Sequence, residues 1–272
     1  MIRLGLISDG RAWESLSPCM HEAALKVAGL AGCYLPLEVN NPDHLGCFLN
    51  NLTKLNFNGL NVTVPHKVSL IKYLAGVSAE ARAIGAVNTL KPGPDGSWWG
   101  YNTDAAGFLS AYGNFFPPGP ALVLGTGGAA RAVLYALQSL GYPTNLTGRN
   151  LTAVQCLAVE FGASVHLVGS TSAGEGRGEV PAYGLVINTS SASSEVELGE
   201  NFNLLQLIKT RPEALILDLN YGRKQNAWAD LAARRNLEFH DGLVMLAHQA
   251  AKSFELWTGL KIDSQIFLTA RL

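Results

Sequence analysis

Short apolar runs alternate along this chain with longer stretches of helical periodicity. Leu4–Ile7 reads as a strand, a helix follows from Pro18, and Tyr34–Val39 reads as a second strand. A helix from Pro42 and a strand over Gly59–Val64 come next. Strands alternating with helices predict parallel βαβ units. The segment Asn114-Phe-Phe-Pro-Pro-Gly-Pro120 has the Pro and Gly content of a connection, and a second α/β run starts at Ala121. Gly174–Gly178 reads as an exposed loop. From Val244, Leu246, Ala250, Phe254 and Trp257 recur at helical spacing, as a core-facing helix requires. The fold class that follows is α/β in two domains.

Polar residues interrupt this pattern at a few places. In Asn61-Val-Thr-Val-Pro-His-Lys67, alternation puts Asn61 and Thr63 on one strand face and Val62 and Val64 on the other. Pro65 cannot donate to the ladder and ends the strand. Lys67 then sits just past a strand end, either as a surface charge or as an amine that does chemistry. Gly85-Ala-Val-Asn-Thr89 and Gly100-Tyr-Asn-Thr-Asp104 add amides, hydroxyls and one carboxylate, a set suited to a polyhydroxylated substrate. In Ser15-Leu-Ser-Pro18, Ser17 fits a helix N-cap and Pro18 the first helical position. Ser15 has no such local role. Two hydroxyls beside a helix N-terminus also form a carboxylate cradle. Gln249, amid apolar neighbours, is either partly exposed or bonded to a ligand.

Ala121–Leu124 is fully apolar, as a buried parallel strand should be, and Gly125-Thr-Gly-Gly-Ala-Ala130 follows at once. An apolar helical stretch runs on to Leu140. Strand, glycine turn and helix together predict dinucleotide binding. The glycines admit a pyrophosphate, and the helix N-terminus supplies N–H groups and positive potential. The next strand should end about 20 residues after the glycines, where an NAD site carries an acid for the ribose hydroxyls. Here Leu146-Thr-Gly-Arg-Asn150 offers Arg149 instead. An arginine forks onto a phosphate, which favours NADP over NAD; the plain alternative is a solvated side chain.

Composition narrows the partners. A net charge of −1 without a basic block argues against nucleic acid and anionic membranes, and leaves small-molecule chemistry. The longest charge-free stretch, between Asp104 and Arg131, is broken by Pro117-Pro118 and glycines, so no membrane span is expected. Cys19, Cys33, Cys47 and Cys156 have no zinc-like spacing, and no metal is expected. Thiols of this kind, and an opening Met1–Ile7 that reads as a strand rather than a signal peptide, point to the cytoplasm. All six histidines read as non-catalytic.

These pieces, in this order, resemble the shikimate dehydrogenase family over nearly the whole chain. The resemblance rests on Ser15–Pro18 with His21, Asn61–Lys67, Gly85–Thr89, Asn102–Asp104 and Gly125–Ala129. Asp218-Leu-Asn-Tyr221, Gly242-Leu-Val-Met-Leu246 with Gln249, and Leu256-Trp-Thr-Gly259 continue it. The resemblance implies an N-terminal α/β substrate domain, residues 1–104 plus 240–272, and an NADP-binding Rossmann domain, residues 105–239, separated by a cleft. It implies that Lys67 and Asp104 form the catalytic pair and that Ser15 and Ser17 hold the substrate carboxylate. Thr63, Asn88 and Gln249 would bond the ring hydroxyls, with Tyr221 nearby. Gly125, Thr126, Gly127, Gly128 and Ala129 would bind the pyrophosphate. Arg149, Leu219 and Gly242 would complete the NADP site, Gly242 near the nicotinamide. The implied reaction is reversible oxidation of shikimate to 3-dehydroshikimate in aromatic amino-acid biosynthesis, by a monomer or homodimer.

The chain departs from the family pattern in places. Arg11 and Glu14 occupy the places of a proline and a His-Ser pair, Ala153 replaces a second basic residue, and Val244 replaces a glycine. Three other readings share parts of the pattern: a quinate/shikimate dehydrogenase of broader use, a catalytically weak shikimate-binding paralogue, and a two-domain methylenetetrahydrofolate dehydrogenase. The last would not require the paired serines.

Overall fold

The computed structural model describes residues 1–166, 181–199 and 205–270. The expected Gly174–Gly178 loop lies outside the described residues. The chain divides into two compact units, residues 1–111 with 244–272, and residues 112–243.

The first unit opens with β1 (Ile2–Ser8), α1 (Ser17–Val27), β2 (Gly32–Glu38), α2 (Leu45–Lys54) and β3 (Gly59–Val62). Pro42 begins a short 3-10 turn, with α2 proper starting at Leu45. β4 (Gly76–Val77), α3 (Ala79–Ile84), β5 (Thr89–Pro92), β6 (Trp98–Tyr101) and α4 (Asp104–Tyr112) follow. The strand order is β2-β1-β3-β5-β6-β4. β1 pairs in parallel with β2 and β3, as the βαβ pattern predicts. β5 runs antiparallel to both β3 and β6, so the sheet is mixed, not parallel throughout. The reason is connection length: only Gly93–Ser97 joins β5 to β6, too short for a crossover helix, so the two strands form a hairpin. Ile7, Leu45, Leu49, Leu60, Val87 and Trp98 pack one face of this sheet.

The second unit carries β7 (Ala121–Leu124), α5 (Gly128–Ser139), β8 (Thr144–Thr147), α6 (Leu151–Phe161), β9 (Ser164–Val165) and β10 (Tyr183–Asn188). α7 (Glu195–Leu198), β11 (Thr210–Asp218), α8 (Ala227–Arg235) and β12 (Glu238–Asp241) complete it. Its strand order is β12-β11-β10-β7-β8-β9, parallel throughout. This is the doubly wound order of dinucleotide-binding sheets, and the order reverses between β7 and β10. Leu122, Tyr183, Val186, Ile216, Trp228 and Leu231 form its core.

α9 (Leu243–Thr258) and α10 (Ser264–Thr269) return the chain to the first unit. There Trp257 donates its ring N–H to the Leu90 carbonyl at 2.9 Å. His21 of α1 lies in an aromatic nest with Tyr34, Phe254, Trp257 and Phe267. No helix among the described residues is long and apolar enough to cross a membrane.

Candidate active site and cofactor turn

In the first unit, Asn61, Lys67, Asn88, Thr89, Thr103, Asp104 and Gln249 converge on one largely buried cluster. β3 ends at Val62, two residues short of the expected Val64, and Val64 is exposed. The Thr63 amide still bonds the Ile7 carbonyl at 3.0 Å; beyond it the chain turns, with the His66 amide bonded to Thr63 O at 2.9 Å. Lys67 is therefore placed by a turn, not by the strand end. The Val87 amide donates to Lys67 O at 2.8 Å and ties that turn to the Val87-Asn88 segment that leads into β5.

Lys67 Nζ lies 2.6 Å from Asp104 Oδ2, and both side chains are largely buried, at 13% and 5% exposure. Asp104 is the first residue of α4, where helix amides favour a carboxylate. Asn102 Oδ1 accepts from the Asp104 amide at 3.0 Å, while its Nδ2 donates to Ala86 O at 2.9 Å. Asn88 fixes the other carboxylate oxygen: its Nδ2 donates to Asp104 Oδ1 at 2.8 Å. The Asn88 orientation is set by the Thr103 amide, which donates to Asn88 Oδ1 at 2.8 Å. Both carboxylate oxygens are thus engaged, and the lysine amine is held where the turn presents it.

Gln249, on α9, joins the same cluster. Its Oε1 accepts from Asn88 Nδ2 at 3.2 Å and its Nε2 donates to Leu246 O at 2.9 Å. The sequence did not single out Ser253, one turn further along α9. Its hydroxyl lies 2.7 Å from Thr89 Oγ1 and 3.1 Å from Thr103 Oγ1, and accepts from Asn61 Nδ2 at 3.1 Å. The readable signal was spacing: Gln249 and Ser253 are polar four residues apart on an otherwise apolar face.

The N-cap expected at Ser17 is not there. Leu16 adopts helical angles and takes the cap position, α1 begins at Ser17, and no side chain caps it. The local role falls to Ser15, whose Oγ accepts from the Ser17 amide at 3.1 Å and lies 3.1 Å from Ser17 Oγ. The two hydroxyls are adjacent at a helix N-terminus, as a carboxylate cradle requires. Just upstream, Arg11 commits its fork to Asp9, with Nε and Nη2 at 2.8 and 2.5 Å from the two carboxylate oxygens. That pair holds the Asp9 carboxyl down at about 2.

In the second unit, the glycine turn joins β7 to α5. Gly125 has φ +119°, and a β-carbon there would lie 2.5 Å from Thr189 Oγ1, so only glycine fits. A β-carbon at Gly127 would meet nothing within 4 Å, which leaves the α5 N-terminus open for a ligand to approach. Gly128 and Ala129 begin α5, and Thr126 lies in the turn beside Gly148. Arg149 is exposed between β8 and α6, with Asn150 capping α6 through the Ala153 amide. Leu219 and Tyr221 follow β11 and are half-buried; the Gly242 amide bonds Asn220 O at 3.0 Å. The Gly125 cradle and open helix end fit a dinucleotide pyrophosphate, and Arg149 fits an added phosphate.

Comparison with known proteins gives this arrangement a lineage. Residues 11–90 match the shikimate dehydrogenase substrate binding domain, and residues 242–270 match the shikimate 5'-dehydrogenase C-terminal domain. The shikimate dehydrogenase (NADP(+)) of Methylobacterium radiotolerans is 38% identical over 257 residues, covering 90% of this chain and 88% of the relative. That of Synechococcus sp. (strain JA-2-3B'a(2-13)) is 35% identical over 265 residues, covering 95% and 90%. The crystal structure of the Thermus thermophilus shikimate 5-dehydrogenase in complex with NADP(H) and shikimate superimposes with a TM-score of 0.84. It is 33% identical and covers 99% of this chain and 98% of its own. With relatives of this likeness aligned over nearly its whole length, the chain belongs to the shikimate dehydrogenase family.

Proposed function

We propose that the protein catalyses the reversible NADP-dependent oxidation of shikimate to 3-dehydroshikimate, a step of aromatic amino-acid biosynthesis. The observation that carries this reading is the buried Lys67–Asp104 pair, 2.6 Å apart and braced by Asn88 and Asn102. NADP bound at the glycine turn supplies the hydride acceptor for oxidation and the hydride donor for reduction. The chain's own part is to hold the reactants in line and to move one proton.

In oxidation, Lys67 Nζ takes the proton of the substrate hydroxyl as its carbon loses hydride. In reduction it returns that proton to the forming alkoxide. Asp104 orients the amine and, through Asn88, ties it to Gln249; Asn88, Gln249 and Thr63 bond the ring hydroxyls. Ser15 and Ser17 hold the carboxylate. Gly125 to Ala129 would hold the pyrophosphate, Arg149 the 2'-phosphate, and Leu219 and Gly242 the reacting end, while Tyr221 serves the substrate.

The test is to mix purified protein with shikimate or quinate and NADP or NAD, following nicotinamide absorbance. Rapid reduction with shikimate and NADP is the expected result. Equal rates with quinate, or with NAD, would replace this reading with the broader quinate/shikimate dehydrogenase. Tight shikimate binding without turnover in any mixture would leave only a binding protein.

A further inference from the structure

Asp218 is the last residue of β11 and is fully buried, yet its carboxylate is matched by neutral groups. Among the described residues five donors converge on it. Oδ1 accepts from Asn188 Nδ2 at 2.9 Å, the Asn220 amide at 3.2 Å and Asn220 Nδ2 at 2.8 Å. Oδ2 accepts from Ser193 Oγ at 2.7 Å and Asn226 Nδ2 at 2.8 Å. The donors come from four places: the end of β10, the turn before α7, the loop after β11 and the cap of α8. Burying a carboxyl group is costly unless hydrogen-bond donors match it, and this one is matched at the C-terminal edge of the sheet.

That edge is where a doubly wound sheet binds a dinucleotide, one half on each side of the point where strand order reverses. The β7–β9 side carries the glycine turn and Arg149. The β10–β12 side carries Asp218. Asn220 Nδ2 also reaches Ser190 O at 2.8 Å, and the Gly242 amide bonds Asn220 O. A β-carbon at Gly242 would lie 2.1 Å from Leu219 O, so Leu219 and Asn220 are clamped between Asp218 and Gly242.

We propose that Asp218 is a positioning residue for the nicotinamide half of the cofactor site, an inference that rests on the NADP reading above. A carboxylate suits the place because it only accepts hydrogen bonds. An asparagine there would turn an N–H₂ group toward at least one amide donor in either orientation.

The test compares wild type, Asp218→Asn and Asn220→Ala by calorimetry with two probes, NADP and adenosine 2',5'-bisphosphate. The second probe has the adenosine half only. NADP affinity is expected to fall ~10–100-fold in Asp218→Asn, the worth of a hydrogen bond to a buried charge, and less in Asn220→Ala. Affinity for the bisphosphate should stay within about twofold. Equal loss of both probes, or NADP affinity unchanged in Asp218→Asn, overturns the inference. If Asp218→Asn does not fold, Asn220→Ala decides by the same comparison. Wild-type protein that binds neither probe overturns the cofactor reading and this inference with it.

Discussion

The fully buried imidazole of His21 makes stability depend on pH in a calculable way. The ring stacks on Tyr34, with centroids 4.6 Å apart and planes 1° from parallel, and Trp257 and Phe267 close around it. Burial pushes its pKa down from 6.5 to about 3, with the Asn61 side chain opposing in part. The sign follows from proton counts. The unfolded chain takes a proton on this ring below 6.5, while the folded chain takes it only near 3. The contribution is therefore fully present above 6.5 and is lost as pH falls toward 3. Between about pH 8 and about pH 5 the unfolded ring gains some one and a half pK units of proton binding, worth about 2 kcal/mol. Urea unfolding followed by tryptophan fluorescence measures it. Four of the five tryptophans, Trp13, Trp98, Trp99 and Trp257, lie in the first unit, so the signal reports on the unit that holds His21. His21→Phe removes the titration. His166 and His248, also pushed down by burial, remain in both proteins and cancel. The wild type should lose about 2 kcal/mol more than His21→Phe over that pH range. Parallel pH dependences in the two proteins would mean that burial of His21 does not lower its proton affinity.

Two further substitutions test separate parts of the site. Arg149→Ala should raise the KM for NADP by ~10–100-fold, as expected for a charge-assisted contact to phosphate, and leave that for NAD nearly alone; equal effects on both would remove the phosphate contact. Asp104→Asn takes the anion from a largely buried pair and should lower stability by about 3 kcal/mol, read from the urea midpoint; an unchanged midpoint would mean the pair contributes little to folding.

Much of the architecture was legible because each local choice agreed with the fold. The apolar Ala121–Leu124 run, the glycine turn and the helix after it predicted β7 and α5 from periodicity and backbone demand alone. The mixed character of the first sheet was not legible in the same way. β5 and β6 are four residues each, and their hairpin depends on a short link that helix and strand periods do not describe. The role of Ser15 was hidden because Ser17-Pro18 satisfies a cap pattern nearby. Which of two neighbouring serines meets the first amide depends on the Leu16 angles, not on residue type. Lys67 was legible as a lysine just past a strand, but 37 residues separate it from Asp104, and the Val87–Lys67 and Asn88–Asp104 bonds bring the two together. Asp218 stood in a family motif without a role of its own, because its donors arrive from four separate places in the fold.

The proton transfer proposed here belongs to Lys67. Steady-state kinetics of Lys67→Ala with shikimate and NADP test it most directly, with calorimetric NADP binding as the check on the fold. The expected kcat is lower by ~10²–10⁴-fold, the usual worth of a general acid–base group, with the KM for shikimate changed only a few-fold. A kcat close to wild type, in protein that still binds NADP, would remove Lys67 from the reaction.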